Sequence, residues 1–253
     1  MDTFAAQGRE LIVRQVPAGL DPALADRVTE ALLLAGLPVA HGGHGPGVHL
    51  VPNGEALVLR WLASPRLEEA ATAGGGRHPA TAARQLVADA VENALAELLP
   101  VFGLDAERAT TTPERTTVRG SADRPEPGTD LAPPASPPAS PPAPPPVHPP
   151  VHPGVRPEIV TAVRRSATLA GLPVATRPGG AGITLGDCSA TGLADLGWNP
   201  SPRLAAPHPT TAVQNAMCHA LGIALRATGL HLTWHRPPAG PAQLRAHGPA
   251  ERR

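Results

Sequence analysis

The sequence predicts an α+β protein made of two tandem copies of a small α-β-β-β-α domain, with a final strand added in the second copy. Three observations lead to this fold class. Short blocks recur in the same order, a proline-rich segment separates the two sets, and apolar spacing alternates between helix and strand periods within each set. The 253 residues include only five aromatic side chains, so the cores must consist mainly of Leu, Val and Ala.

Four blocks recur in the two halves of the chain, with only small changes in spacing. They are LAGLPVA at 34–40 and 169–175, GVHL and GITL at 47–50 and 182–185, W-x-x-S-P-R-L at 61–67 and 198–204, and H-P-x-T-A at 78–82 and 208–212. Four matches in one order are too many for chance alignment, and they predict a duplicated domain.

Each copy is expected to begin with a helix. In the first copy, Asp21-Pro22 resembles a helix start, apolar residues follow at helical spacing, and Gly36 stands where a left-handed cap belongs. In the second copy, Pro157 and Gly171 mark the same two ends. Leu32, Leu33 and Leu34 extend the apolar face of the first helix, so they are candidates for an interface between the copies.

Three short strands, a second helix and a last strand are expected next. The strands are predicted around Val39, at 48–51 and at 56–61 in the first copy, and around Val174, at 183–185 and at 193–198 in the second. A longer helix follows His78-Pro79 and His208-Pro209, with an apolar stripe in both copies. The alternation at 230–234 predicts a final strand in the second copy only, because Pro113 breaks the corresponding stretch of the first.

Composition divides the chain into five segments. They are an N-terminal extension (1–16), the first domain (17–119), a proline-rich linker (120–154), the second domain (155–236) and a C-terminal tail (237–253) predicted to be disordered. The linker has 14 prolines between residues 120 and 153, which favours disorder with polyproline II character. It would act as a spacer, or would dock into a groove domain through its P-x-x-P residues Pro137, Pro138, Pro141 and Pro142.

The charge balance argues against strong nucleic-acid binding. The formal net charge is zero, although the first 119 residues carry 10 Arg against 14 acidic residues, and residues 155–253 carry 10 Arg against 4. This opposition favours pairing of the two copies, or contact of the basic half with an anionic partner. The absence of Lys and Tyr is typical of a high-GC bacterium. A membrane span and a secretory leader are not expected, and we predict a cytoplasmic protein.

The shared polar and aromatic residues are the candidate ligand-binding or partner-binding residues: Trp61, Arg66, His78, Trp198, Arg203 and His208. An Arg five residues after a Trp could form one wall of a pocket for an anion, and His could supply a hydrogen bond. The alternative is that Trp fills the core, Arg covers it and His is a loop residue. We predict no cofactor, metal site or catalytic residue, because Cys188, Cys218 and the histidines lack ligand or nucleophile spacing.

The sequence therefore favours a non-enzymatic tandem module for protein interaction, scaffolding or regulation, whose partner is an unknown protein or its own second copy. One alternative is a regulator that binds a small molecule in a Trp/Arg/His pocket of each copy. A second is nucleic-acid binding through the basic C-terminal half, which the element order of double-stranded RNA-binding domains suggests and the weak positive charge disfavours.

Overall fold

The fold was determined as a computed structural model that describes most of both halves of the chain. The described residues are 22–40, 45–76, 78–108, 116–119, 154–188, 192–204, 207–235 and 243–250. The N-terminal extension 1–16, almost all of the linker 120–154, and with it Pro137, Pro138, Pro141 and Pro142, lie outside these ranges.

The first half consists of three α-helices and a four-stranded sheet. In chain order the elements are α1 (Pro22–Leu34), β1 (Gly47–Asn53), β2 (Ala56–Leu62), α2 (Pro65–Gly74), α3 (Pro79–Leu98), a 3₁₀ turn (Leu99–Phe102), β3 (Asp105–Arg108) and β4 (Thr116–Arg119). All strand pairs are antiparallel, and the strand order is β1-β2-β4-β3.

The second half follows the same plan without the short middle helix. Its elements are α4 (Pro157–Ala170), β5 (Gly182–Cys188), β6 (Leu193–Asn199), α5 (Pro207–Ala227), β7 (Leu230–His235) and β8 (Gln243–Pro249). The strand order is β5-β6-β8-β7, again antiparallel throughout and equivalent to the order in the first half. The predicted α+β class is thus confirmed.

The two long helices join the halves. Helices α3 and α5 form the most extensive contact between any two described elements. Their apolar stripes explain this: Val91 and Leu95 of α3 and Leu221 and Leu225 of α5 are fully buried. The buried residues of both halves form one continuous hydrophobic cluster. No described helix is both long and apolar enough to span a membrane.

The first predicted strand of each copy is wrong in extent. Val39 and Val174 each make only an isolated parallel bridge, to Val48 and Ile183. The bridge in the first half consists of two hydrogen bonds, from the Val48 N–H to Pro38 O (2.9 Å) and from the Ala40 N–H to Val48 O (3.0 Å). Proline at 38 lacks an N–H group, so the ladder cannot extend toward the helix.

The end of each half holds a β-hairpin, and of their four strands the sequence predicted only β7 (Leu230–His235). In the first half, β3 and β4 occupy the region where no strand was expected. In the second half, the tail predicted to be disordered contains β8, which pairs with both β6 and β7. Burial of Leu244 and Ala246 explains its order, because alternate residues of β8 close the apolar face of the sheet. Gly248 and Pro249 weaken the strand pattern in the sequence.

Candidate functional site

The two shared tryptophans lie between the halves rather than at a surface. Trp61 on β2 is 3 % exposed and Trp198 on β6 is 1 % exposed. The indole N–H of Trp61 donates to the carbonyl oxygen of Ala170 at 2.9 Å, and that of Trp198 donates to the carbonyl oxygen of Ala35 at 2.8 Å. Each half therefore places its Trp against the end of the other half's first helix.

A second pair of hydrogen bonds follows the same reciprocal pattern. The backbone N–H of Ser64 donates to Leu169 O (3.1 Å), and the backbone N–H of Ser201 donates to Leu34 O (2.8 Å). These carbonyl groups belong to the last turns of α4 and α1, where carbonyls lack a partner within the helix. The W-x-x-S segment of each half thus caps the first helix of the other. Of the three leucines proposed for an interface, Leu32 is buried, Leu34 supplies this carbonyl and Leu33 is half exposed.

The glycine that ends each first helix permits this close approach. Gly36 and Gly171 have φ values of 83° and 79°, in the left-handed region that favours glycine. A Cβ atom at Gly36 would lie 3.0 Å from the carbonyl oxygen of Asn199, and one at Gly171 would lie 2.9 Å from the Cβ of Pro46. A side chain at either position would push the halves apart.

Arg66 and Arg203 do not join the tryptophans in a pocket. Both arginines are exposed, whereas both tryptophans are buried, and no guanidinium stacks on either indole ring among the described residues. Arg66 lies in the first turn of α2, and Arg203 lies in a turn after β6. Neither guanidinium makes a hydrogen bond or an ion pair within the described part of the chain.

His78 serves as the N-terminal cap of α3. Its Nδ1 accepts a hydrogen bond from the Ala80 N–H at 3.2 Å, so the ring satisfies one of the free amides of the first turn. The ring also lies so close to Gly74 that a Cβ there would overlap it. The backbone of His208 lies in the first turn of α5, while its side chain is outside the described part. His78 and Trp61 share no hydrogen bond within the described residues, since the indole of Trp61 donates to Ala170 instead.

An open groove lies at the junction of the halves, and sequence reasoning did not predict it. It has a volume of about 800 Å³, and its lining is mostly apolar. Its principal lining residues are Pro38, Pro46, Arg164, Thr168, Leu172 and Pro173. Pro38 and Pro173 belong to the two LAGLPVA blocks, so the recurrence of that block was the available sign of a shared surface. Arg164 carried no such sign, because the first half has Thr29 at the aligned position.

Each buried Trp also has a side-chain acceptor for its backbone N–H. In the first half, Glu92 Oε1 accepts from the Trp61 N–H at 3.0 Å, and Glu92 is 1 % exposed. In the second half, the acceptor is the thiol of Cys218 on α5. Burial raises the pKa of Cys218, and the hydrogen bond from the Trp198 backbone N–H opposes this shift only in part.

A polar patch covers the outer face of the second sheet. Arg245 on β8 forms an ion pair with Asp195 on β6, with 2.8 Å between Nε and Oδ1. The rings of His231 and His247 are in contact, with centroids 4.9 Å apart and planes tilted by 37°, and Thr233 hydrogen-bonds His247 at 2.7 Å. Desolvation lowers the pKa of His247, and the nearby His231, Arg245 and Arg156 lower it further.

The described residues contain no group of three or more His, Cys, Asp or Glu side chains placed to hold a metal ion. Comparison of the chain with known protein families, with curated proteins and with solved structures finds no match, so the site has to be interpreted from its own geometry.

Proposed function

We propose that the chain is a non-enzymatic tandem interaction module. In this proposal, two diverged copies of one domain close on each other as an intramolecular pseudo-dimer and present a matched pair of arginines to a protein partner. Reciprocal contacts support the pairing. In a two-fold interface, each contact that one unit makes is repeated by the equivalent residues of the other unit. The hydrogen bonds of Trp61 and Trp198 follow that pattern.

The main support for an interaction role comes from the shared residues that make no structural contact. The shared Trp, Ser and helix-ending Gly residues make contacts between the halves, and His78 caps a helix. Arg66 and Arg203 are left exposed without a partner in the described structure. A side chain shared by both halves but unused by the fold is the best candidate for contact with another molecule.

The chemistry of these arginines indicates an acidic partner surface. A guanidinium group binds carboxylates through two parallel hydrogen bonds, which gives both affinity and geometric selectivity. Two such groups on one rigid body bind a partner with two acidic sites more strongly than either group alone, because the second contact becomes intramolecular. The two halves would then act together as a scaffold for one partner.

The test uses tagged full-length protein to capture partners from lysate of the source cell, followed by affinity measurement with the purified partner. The charge reversals Arg66→Glu and Arg203→Glu should each weaken binding by about tenfold or more, and the double variant should abolish it. The melting temperature should stay within about 2 °C of the wild type, because surface changes cost little. Arg165→Glu is the matched control, since Arg165 is exposed, makes no ion pair with a described residue and does not belong to a shared block.

A double variant that binds as tightly as the wild type would refute the role of the arginines. The absence of any retained macromolecule would refute the interaction role itself. The structure favours one other function, small-molecule binding, through the groove at the junction of the halves. A Trp/Arg/His pocket within each copy has less support, because Trp61 and Trp198 are buried between the halves while Arg66 and Arg203 are exposed.

A further inference from the structure

The groove has the size and composition of a small-molecule site. Its volume of about 800 Å³ falls within the range of roughly 300–1,000 Å³ that is usual for ligand pockets. Pro38 and Pro46 form its wall on the first half, and residues 171–176 form its wall on the second. A ligand there would touch both halves at once and bury apolar surface of each.

Arg164 is the only charged side chain among the described residues that line the groove. It lies on α4 and is partly buried, and its guanidinium makes no ion pair or hydrogen bond with any described residue. Thr168, one helical turn further on, adds a hydroxyl group to the same side. A cation beside an apolar wall is suited to a ligand with one anionic end and an apolar body.

The cation distinguishes the second half from the first. Both halves contribute apolar wall residues, although only Pro38 and Pro173 do so from equivalent positions of the LPVA segments Leu37–Ala40 and Leu172–Ala175. The residues aligned with Arg164 and Thr168 are Thr29 and Leu33, which are uncharged. The groove therefore has apolar residues from both halves and a cation from the second half only, which fits one ligand per chain in one orientation.

We propose that this groove binds an aliphatic carboxylic acid. The carboxylate pairs with the guanidinium of Arg164, and the hydrocarbon chain lies against Pro38, Pro46 and Leu172. This site goes beyond the protein-interaction function and does not depend on Arg66 or Arg203. It requires only that the halves stay closed, because its walls come from both.

The test is calorimetric titration of the full-length protein with decanoate and, as an uncharged match of the same chain length, 1-decanol. The wild type should bind decanoate about tenfold or more tightly than decanol, since only the acid forms a charge-assisted pair. Arg164→Gln should remove this preference and leave decanol binding unchanged. Arg164→Lys should retain part of it, because Lys keeps the charge but loses the bidentate geometry.

Arg165→Gln is the matched control, because it removes the same charge from the adjacent position of α4, which does not line the groove. Thermal melts of each variant check that the fold is intact. Equal affinity for decanoate and decanol, no binding of either, or equal losses in Arg164→Gln and Arg165→Gln would each overturn the assignment.

Two further outcomes would show that something else fills the groove, and both would also overturn the proposal. If replacing residues 120–153 with a Gly/Ser segment of equal length raised decanoate affinity about tenfold or more, the occupant would be the chain's own linker. If decanoate converted a dimer to a monomer on size exclusion, the occupant would be a second copy of the chain.

Discussion

The two halves make the same contacts across their junction but support them differently from within. Trp61 and Trp198 donate to equivalent carbonyl groups, and Ser64 and Ser201 do the same through their backbone amides. Behind each tryptophan, the strand offers a backbone N–H that faces a long helix instead of another strand. A buried N–H group needs an acceptor, and each half meets this need with a different residue.

The first half uses a carboxylate and the second uses a thiol one turn earlier on the equivalent helix. Glu92 of α3 aligns with Gly222 of α5, and Cys218 aligns with Ala88. The room left by Gly222 is taken by the ring of Trp234, whose Cζ2 would lie 3.3 Å from a Cβ at that position. The contacts across the junction thus use the same residue types in both halves. The acceptors behind the tryptophans differ, because one half uses a carboxylate and the other a thiol.

The second half builds its last hairpin with an aromatic residue where the first half uses an ion pair. Arg108 of β3 and Trp234 of β7 occupy equivalent sheet positions, opposite Thr116 and Leu244. Arg108 forms an ion pair with Asp89 at 2.7 Å and also hydrogen-bonds Asn93. Both arrangements hold the edge strand against the long helix. The shared fold therefore tolerates a change of interaction type at its edge.

The largest expected effect comes from truncating a tryptophan at the junction. Trp61→Ala and Trp198→Ala should each destabilise the protein by about 3–5 kcal/mol, because each removes a large buried side chain and leaves a cavity. Since the buried residues of both halves form one cluster, urea unfolding followed by circular dichroism should stay a single transition. The two variants should cost similar amounts if the contacts are equivalent.

Trp234→Ala is the matched control, since Trp234 is 44 % exposed and packs beside Gly222 of its own half. It should cost about 1–2 kcal/mol, because less of its area is buried. Two separate unfolding transitions in the wild type, or a cost for either junction variant no greater than that of the control, would contradict the equivalence of the halves.

Removal of the Glu92 acceptor should have the next largest effect. Glu92→Leu leaves the Trp61 N–H buried without this partner, so we expect a loss of about 1–3 kcal/mol in the free energy of unfolding. Glu92→Gln keeps an acceptor oxygen at the same reach and should cost less. If urea titrations found Glu92→Leu as stable as Glu92→Gln, the hydrogen bond to Trp61 would not contribute to stability.

Much of the secondary structure follows from local patterns. The spacing of apolar residues located α1, α3, α4 and α5, and Gly36 marked the end of α1. The hairpin strands β3, β4 and β8 were missed because they are short or carry Gly, Pro and His, and their order depends on pairing with distant strands. Non-local pairing of this kind leaves little trace in a local window.

The candidate sites show a different limit. The shared Trp and Arg residues were found by comparing the chain with itself, but their roles could not be separated, because burial of Trp61 depends on the other half of the chain. The groove was missed for the same reason, since Pro46 and Arg164 are 118 positions apart in the sequence. A recurring block indicates that a surface matters, but only the fold shows which surface it meets.

The smallest expected effect concerns the thiol that replaces the carboxylate in the second half. Cys218→Ala should cost about 1 kcal/mol or less, because sulfur is a weak acceptor. Since burial raises the pKa of Cys218, less thiolate is present at pH 8 than for an exposed cysteine, so alkylation by iodoacetamide should be slow. Peptide mass spectrometry of labelled protein measures this at Cys218 itself, with urea-unfolded protein as the control. Equal labelling rates in the folded and unfolded states would mean that the thiol is open to solvent, and the contrast between Cys218 and Glu92 as acceptors would then fail.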